Sequence, residues 1–378
     1  MLFATITDFW GYLMARVRKR KLPSGLTRWQ AGYVDGAGER RFKLFERKAD
    51  AEAWLVDVRH DVARGIHTPG SVSPTVKDAA GLWIKRCNEK GLEPMTVKGY
   101  EEHVDLHIVP FIGAKKLSEI TVPAVNGFAD ELREAGRSAE MIKRVVRSLG
   151  GIFKEARRRG LANTSPTAGV GLDLPNREDP RPVIPSKAEL QAIINAASGR
   201  WRPVILVAIF CGLRASELRG LRWADIDFEA KQLNLTQRAD ACHRIGKLKS
   251  KAAYRSIPCP PIVINTLREW HLQCPKGDQG LAFPNLQGKV ESHSNMLTRG
   301  LQPTLKAAGI DADEYGMHSL RHACASLWIE NGYNPKQIQR LMGHSSIKLT
   351  FDVYGHLFSD AEADQRAAEN VQARLLGS

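Results

Sequence analysis

Four consecutive stretches in the first half of the chain carry apolar residues at a spacing near 3.6, which constrains the fold more than any other feature. This spacing collects the apolar side chains on one face of a helix, and that face is then buried against neighbouring helices. The stretches cover residues 76–87, 96–108, 122–134 and 139–158. Thr75, followed by Asp78, forms a capping box that is typical of a helix start. We therefore predict a helical bundle between residues 75 and 161.

Two stretches rich in turn-forming residues divide the chain into domains. Residues 67–73 are rich in Gly, Pro and Ser, and residues 167–185 contain four prolines among charged residues. Proline is unfavourable inside both helices and strands, so we expect linkers there. Ser186 and Glu189 form a second capping box, which starts a further domain that is mainly helical with one hairpin, roughly over 232–257. We predict an N-terminal module over 1–68, a helical domain over 73–168, a linker over 169–185, and a C-terminal domain over 186–378 that ends in a tail helix.

The N-terminal module combines a basic run with strand and helix signals. Residues 28–45 alternate apolar and polar side chains around the turn signal Asp35-Gly36-Ala37-Gly38, and residues 50–64 have helical spacing. We predict a small sheet with a flanking helix and a basic arm that contacts phosphates; a solvated basic tail on an unrelated small domain is the alternative. The predicted contacts are Arg16, Arg18, Lys19, Arg20 and Lys21. Because Met14 opens the basic phrase, a further hypothesis is that residues 1–13 are an upstream extension.

The overall charge favours a polyanionic partner. The 55 Lys and Arg residues outnumber the 41 Asp and Glu residues, which gives a net charge of +14. Charge alone does not distinguish DNA from RNA or an acidic membrane, but no apolar run approaches the roughly 20 residues of a membrane span. In the helical domain, one helix carries a basic face predicted to contact phosphates, with a solvated surface as the alternative. Its residues are Lys143, Arg144, Arg147, Lys154 and Arg157.

The six cysteines are scattered along the chain without a CxxC pair. This distribution argues against a zinc knuckle and against a secreted disulfide scaffold, so we expect reduced thiols in a cytoplasmic protein. The sequence has neither Walker A spacing nor a cluster of carboxylates suited to a metal. We therefore expect no nucleotide or metal cofactor.

The C-terminal domain contains the residue types that phosphodiester transfer requires, namely positive donors for the non-bridging oxygens, a nucleophile and a proton donor. The helix within residues 208–223 is predicted to break at Gly212, which places Arg214 at a turn, with Glu217 one turn later to orient it. His318 and Arg321, three residues apart, share one helix face. Taken singly, these patterns also fit a surface ion pair and an ordinary helix start.

A second group of candidate residues lies near the end of the chain and on the hairpin. Gly343 is predicted to end a helix, His344 to start the next one, and Tyr354, beside Gly355, to be presented on a mobile segment. The alternative for the tyrosine is simple packing with its hydroxyl at the surface. The hairpin carries three lysines that could protonate a leaving oxygen or merely contact phosphates. They are Lys247, Lys249 and Lys251. Together, these residues in one domain of a basic chain favour metal-free transesterification.

Several phrases resemble the tyrosine recombinase family, in particular phage-type integrases. They are CGLRASELRGLRW, KSKAAYRSIP, HSLRHACASLWIENG and LMGHSSIKLTFDVYGHL, with LEPMTVKGYEEHV and HIVPFIGAKKLSEIT in the helical domain. The resemblance implies a mainly α fold with small β elements. It would comprise an arm-binding module of a small sheet and a helix, a helical core-binding bundle and a mixed α/β catalytic domain.

The resemblance also implies a role for each candidate. Arg214 and Arg321 would clamp the scissile phosphate, His318 would act as acid or base near the nucleophile, and His344 would donate to a non-bridging oxygen. Tyr354 would attack phosphorus and hold the 3′ end.

The resemblance also implies that Lys249 would give a proton to the departing 5′ oxygen. The family's lysine lies ahead of an Arg-x-Ile-Pro strand, which favours Lys249, while Lys247 and Lys251 stay open.

By the same resemblance, the chain is a DNA strand-transfer enzyme, independent of metals and ATP, that integrates or excises a mobile element. It would act as a tetramer on two DNA attachment sites, with a host DNA-bending protein and an excisionase as candidate partners. Two alternatives stay open. One is a catalytically inactive DNA-binding regulator, and the other is a type IB topoisomerase, which uses the same chemistry on one duplex.

Overall fold

The structure, a computed structural model, describes residues 16–65, 67, 69, 73–168, 171, 183–358 and 361–376. It divides into two units, Met1–Arg177 and Glu178–Ser378. The hypothetical extension over 1–13 and most of the expected linker over 169–185 lie outside the described residues. Helices dominate and the sheets are small, which confirms the predicted fold class. Within the described ranges, no helix is both long and apolar enough to cross a membrane.

A three-stranded antiparallel sheet opens the N-terminal unit, and one helix packs against it. The elements are β1 (Arg16–Lys21), β2 (Thr27–Val34), β3 (Arg40–Phe45) and α1 (Lys48–Ala63). Ala31 and Tyr33 of the sheet are buried against Leu55 and Val58 of the helix. The predicted turn is confirmed, since the Asp35 carboxylate accepts the backbone N–H groups of the turn at 2.9 and 3.0 Å.

The basic run Arg16–Lys21 is an edge strand of this sheet and not a free arm, which corrects the prediction. It pairs with β2 along its whole length, from Arg16 opposite Gly32 to Lys21 opposite Thr27. Val17 packs on the core, whereas the basic side chains are exposed. Strand pairing satisfies the backbone donors and acceptors that a free arm would leave to water. The basic side chains therefore project from a fixed strand.

A helical bundle forms the rest of the N-terminal unit, as predicted. Its helices are α2 (Val76–Glu89), α3 (Pro94–His103), α4 (Val109–Ile112), α5 (Val122–Glu134) and α6 (Ala139–Arg158), with a π-helical turn, Val104–Ile108, before α4. The Thr75 hydroxyl accepts the backbone N–H of Asp78 at 3.1 Å, which confirms the predicted start of α2. Helices α2 and α6 pack closely where Gly151 leaves room for the ring of Trp83.

The C-terminal unit is built around one central helix, in which residues 203–209 are all buried. The helices are α7 (Lys187–Ala196), the central α8 (Trp201–Cys211), α9 (Ala215–Gly220), α10 (Pro261–Gln273), α11 (His293–Asn295), α12 (Gln302–Ala307), α13 (Met317–Glu330), α14 (Pro335–Met342), α15 (Ile347–Tyr354) and α16 (Ala361–Leu376). The predicted capping box of α7 is confirmed, because the Ser186 hydroxyl accepts from the Glu189 backbone and the Glu189 carboxylate accepts from the Ser186 backbone. The predicted tail helix is α16.

The predicted hairpin over 232–257 is confirmed in its two ends, but it encloses a second strand pair. Its two ends, β5 (Gln232–Leu235) and β8 (Arg255–Pro258), pair with each other and with β4 (Ile226–Asp227), in the order β4-β5-β8. The segment between them forms its own pair, β6 (Arg238–Ala239) with β7 (Ile245–Gly246). Leu233 and Ile257 are buried in the main core, whereas Ala239 packs in a separate cluster with Leu281 and Val290. The outer pair, β5 with β8, and the inner pair, β6 with β7, therefore belong to different hydrophobic clusters.

Candidate active site

A single buried carboxylate, that of Glu217, lies at the centre of the candidate site. It accepts hydrogen bonds from Arg255 Nη1 and Nη2 at 3.1 and 2.9 Å and from Arg214 Nη1 at 2.8 Å. The nearest guanidinium nitrogen of Arg321 is 3.9 Å away. Burial alone would raise the pKa of Glu217, but the bonds from Arg255 and the charges of Arg321 and Arg214 lower it to about 2. Glu217 is therefore ionised and balances several positive charges.

Arg214 lies at the turn between α8 and α9, as predicted. Gly212 has a φ of +61°, the left-handed conformation that ends α8, and Arg214 then caps the start of α9 in extended backbone. The Arg214 side chain is 33% exposed, and its second terminal nitrogen donates to the carbonyl of Gly343 at 3.2 Å. The Glu217 carboxylate also accepts the backbone N–H of Arg214 at 2.9 Å. The predicted orienting contact between Glu217 and Arg214 is therefore present.

Arg321, on α13, joins three elements of the site. It is only 1% exposed, and its terminal nitrogens donate to the carbonyls of Gly212 and Met342. Burial, together with the charge of Arg214, lowers the pKa of Arg321 to about 9, so it remains positive at neutral pH. Each of these nitrogens carries a second hydrogen that could reach an anion. Arg321 therefore occupies a fixed position beside Arg214.

Tyr354 is the last residue of α15 and is 1% exposed. This burial corrects the alternative in which the tyrosine packs with its hydroxyl at the surface. The hydroxyl lies 2.7 Å from Nδ1 of His322. Burial raises the pKa of Tyr354 well above that of a free phenol, although the charge of Arg321 opposes this effect. The nucleophile candidate is therefore a neutral phenol with a histidine partner.

Three imidazoles surround this tyrosine in different ways. The ring of His344 stacks parallel to that of Tyr354 at 6.4 Å, and its Nδ1 lies 3.0 Å from the Thr350 hydroxyl. The ring of His318 is exposed and meets the ring of His322 edge-on at 4.6 Å. Burial, aided by neighbouring positive charges, lowers the pKa of His322 to about 4 and that of His344 to about 3. Both of these histidines are neutral at pH 7.

The three candidate lysines make no hydrogen bond or ion pair with this cluster among the described residues. Lys247, Lys249 and Lys251 are exposed in the segment between β7 and β8, whose last part is a 3₁₀ turn, Lys251–Ala253. In the part of the chain that the structure describes, no hydrogen bond or ion pair joins Lys249 to the arginines or to Tyr354. The structure therefore brings five of the six catalytic candidates together and leaves the lysine on a neighbouring exposed segment. No group of three His, Cys, Asp or Glu side chains suited to a metal ion occurs within the described ranges.

Three family models match this chain. The model for the phage integrase family matches residues 186–360, which include the whole cluster. The phage integrase N-terminal domain matches residues 18–64, and the N-terminal SAM-like domain of phage integrases matches residues 75–133. The chain belongs to the phage integrase family. Members of this family are DNA strand-transfer enzymes.

Known integrases resemble the chain over most of its length. It is 27% identical over 346 residues to the "Integrase" of Streptomyces ambofaciens, covering 85% of this chain and 86% of that protein. It is 28% identical over 343 residues to the "Putative prophage phiRv2 integrase" of Mycobacterium tuberculosis, covering 87% and 88%.

Solved integrase structures share the fold. The Tn1549 transposon integrase in complex with a circular intermediate DNA matches with a TM-score of 0.65 and 22% identity, covering 79% of this chain and 99% of that one. A lambda integrase tetramer bound to a Holliday junction matches with a TM-score of 0.56 and 18% identity, covering 87% and 95%.

The predicted phosphate contacts of this integrase-family chain are exposed on two elements of its N-terminal unit. One is the edge strand β1, and the other is the face of α6 that carries Lys143, Arg144, Arg147, Lys154 and Arg157. The α6 face borders a hollow of about 860 Å³ that Trp83 and Tyr100 also line. On this face, Arg144 Nε donates a hydrogen bond to Glu140 Oε1 at 3.1 Å. Exposed cations beside aromatic rings suit contact with a polyanion.

Two residues of the site were missed by reasoning from the sequence. Arg255 lies near the end of the predicted hairpin, but it was not among the candidates; it is buried and donates to Glu217 and to the carbonyl of Leu341. The period of two along β8 was a usable signal. Arg255 lies two residues before the apolar Ile257 and therefore on the same face of the strand, which is the buried one. His322 was passed over although it lies four residues after His318, and therefore on the same face of α13.

Proposed function

We propose that this chain is a site-specific tyrosine recombinase that cleaves and rejoins DNA through a covalent bond between Tyr354 and a 3′ phosphate, and so integrates or excises a mobile element. The observation that carries the proposal is the arrangement of Arg214 and Arg321 around Glu217, with the Tyr354 ring close enough for the charge of Arg321 to act on it. Two fixed cations stabilise the charge that develops on a phosphate in the transition state.

The proposed step requires no external energy source. The Tyr354 oxygen bonds to phosphorus while the bond from phosphorus to the 5′ oxygen breaks, and Lys249 gives that oxygen a proton. His344 donates to a non-bridging oxygen, and His318 acts as acid or base near the nucleophile. The phosphotyrosine bond retains the energy of the broken phosphodiester, so a second 5′ hydroxyl can reverse the step on another strand.

The candidate site is closed around its nucleophile. Tyr354 and Arg321 are both 1% exposed, so a phosphate reaches them only when the elements that cover them, including the end of α15, shift. We expect DNA to favour this shift, since a bound phosphate would supply the negative charge that faces Arg214 and Arg321.

On this proposal the protein acts on double-stranded attachment sites, which β1 and the basic face of α6 would contact through phosphates. Four protomers would exchange strands between two sites, as the lambda integrase tetramer on a Holliday junction suggests. The cellular location would be the bacterial cytoplasm, at the nucleoid. A host DNA-bending protein and an excisionase are expected to assist.

The deciding experiment is covalent trapping on a nicked suicide duplex taken from the junction of the element that carries the gene. Wild type should form a protein–DNA adduct on a denaturing gel, and Tyr354→Phe should not. Tyr333→Phe is the matched control, because Tyr333 stacks on Trp328 and its hydroxyl makes no hydrogen bond to a described residue. Absence of an adduct on a duplex that wild type binds would favour a catalytically inactive regulator. Relaxation of supercoiled DNA without recombination between two sites would favour a type IB topoisomerase.

A further inference from the structure

His322 is the imidazole that contacts the nucleophile's oxygen. Its Nδ1 lies 2.7 Å from the Tyr354 hydroxyl. Of the other two histidines nearby, His344 has its Nδ1 bonded to Thr350 and presents its ring face to Tyr354. His318 contacts the edge of His322 and is exposed. Within the described residues, neither of them has a hydrogen bond to the Tyr354 oxygen.

The direction of this hydrogen bond follows from burial. The Tyr354 side chain is 1% exposed, so its hydroxyl proton cannot be donated to bulk water. A buried hydroxyl must donate its one proton to a protein acceptor or lose a hydrogen bond. A neutral imidazole carries one proton and one lone pair, so Nδ1 accepts from Tyr354 when the proton is on Nε2. We assign this tautomer, with the Nδ1 lone pair directed at the phenolic proton, because the Tyr354 hydroxyl has no other hydrogen-bond acceptor among the described residues.

We propose that His322 is a catalytic residue of this enzyme and takes the phenolic proton of Tyr354 through Nδ1 as the tyrosine attacks DNA. The inference rests on the proposed function and deepens it. As the bond between the tyrosine oxygen and phosphorus forms, the proton moves to Nδ1 and leaves His322 as an imidazolium. The bond from phosphorus to the 5′ oxygen breaks, and Lys249 protonates that oxygen. In the reverse reaction His322 returns the proton to the departing Tyr354.

Bound DNA makes His322 a better base than it is in the free protein. Burial and the positive charges of His318 and Arg321 keep the pKa of His322 near 4 without DNA. A phosphate seated on Arg321 and Arg214 offsets part of that positive field, so the pKa rises towards that of free imidazole. Proton transfer from Tyr354 is thus favoured only once a phosphate is in place, which protects the free enzyme from an ionised nucleophile. His318, exposed on the same helix face, remains available to the phosphate.

The test measures single-turnover adduct formation by pre-bound protein on the nicked suicide duplex. His322→Asn places an acceptor oxygen close to the position of Nδ1 but cannot take a proton, and His322→Ala removes both functions. We expect both variants to form adduct about 10²–10⁴-fold more slowly, the usual contribution of a general base, with DNA affinity unchanged. Added imidazole should partly restore the rate of His322→Ala. His293→Asn, an exposed histidine outside the site, should react at the wild-type rate.

A second measurement examines the hydrogen bond without any reaction. In DNA-free protein with ¹⁵N-labelled histidine, Tyr354→Phe should shift the Nδ1 resonance of His322, and an unchanged resonance overturns the inference. A wild-type rate for His322→Asn also overturns it, since that result reduces His322 to a positioning residue. Failure of the wild type itself to form an adduct overturns the proposed function, and this inference with it.

Discussion

At Glu217, one carboxylate holds Arg214 and Arg255 by hydrogen bonds and lies 3.9 Å from Arg321. A buried cation without its counter-charge is strongly destabilising. We expect Glu217→Gln to lower the free energy of unfolding by about 3–5 kcal/mol, measured by urea denaturation. Glu330→Gln is the control, because Glu330 pairs with Lys187 at the surface. This substitution should lower the free energy of unfolding by about 0–1 kcal/mol. Equal losses in the two variants would contradict this account of the site.

The effect of Glu217 on stability should depend on pH in one direction. Its pKa is depressed to about 2 in the folded protein from an ordinary value of 4.5. The stabilisation is therefore fully present above about pH 4.5 and is lost as pH falls towards 2. The difference in unfolding free energy between wild type and Glu217→Gln should shrink over this window. A difference that stays constant from pH 6 to pH 3 would show that the carboxylate is not the source of the effect.

At the scale of elements, the packing of α2 on α6 depends on the missing side chain at Gly151. A Cβ atom there would lie 2.7 Å from the ring of Trp83, too close for any real contact. We expect Gly151→Ala to destabilise the protein by about 1–3 kcal/mol, the usual cost of overpacking, as measured by thermal unfolding. Gly127→Ala on α5 is the control, since its Cβ would meet open space. That change should stabilise by about 0.5–1 kcal/mol because alanine favours a helix.

The basic face of α6 should act as a unit in DNA binding. Arg147 and Lys154 are exposed on this face beside the hollow that Trp83 lines. We expect Arg147→Ala with Lys154→Ala to weaken binding of all sequences by a similar factor and to reduce the salt slope by about 2, or about 1 for each phosphate that the variant no longer neutralises. Lys187→Ala, which removes a surface charge from α7, should change neither. Loss of affinity for one sequence alone would indicate base readout in place of phosphate binding.

For the whole molecule, the net charge of +14 predicts DNA binding that depends strongly on salt. A protein that neutralises 6–10 phosphates loses about 10³–10⁵ in affinity between 50 and 200 mM salt, because bound cations are released from DNA. We expect a loss of this order in a fluorescence anisotropy titration of the full chain. An affinity that is flat over this range would contradict the assignment of the exposed basic surfaces.

The sequence by itself determined the features that depend on neighbours within a few residues. Helical periodicity placed α5 and α6 at their observed bounds, and Gly212 and Gly343 marked two helix ends because each adopts a left-handed conformation. The motif phrases also identified Arg214, Arg321 and Tyr354 as members of one site. Each of these signals is local, so it is present in the chain before packing occurs.

Only the tertiary structure decided which distant groups meet. His322 and Tyr354 are 32 residues apart, and Arg255 and Glu217 are 38 apart. Both contacts join elements that are distant in the sequence, α13 with α15 and β8 with α9, and no local pattern specifies that packing. The same holds for the inner pair of β6 with β7, whose Ala239 packs in a separate cluster with Leu281 and Val290. The sequence determined which residues the site uses, whereas packing determined that the nucleophile is buried and which histidine holds it.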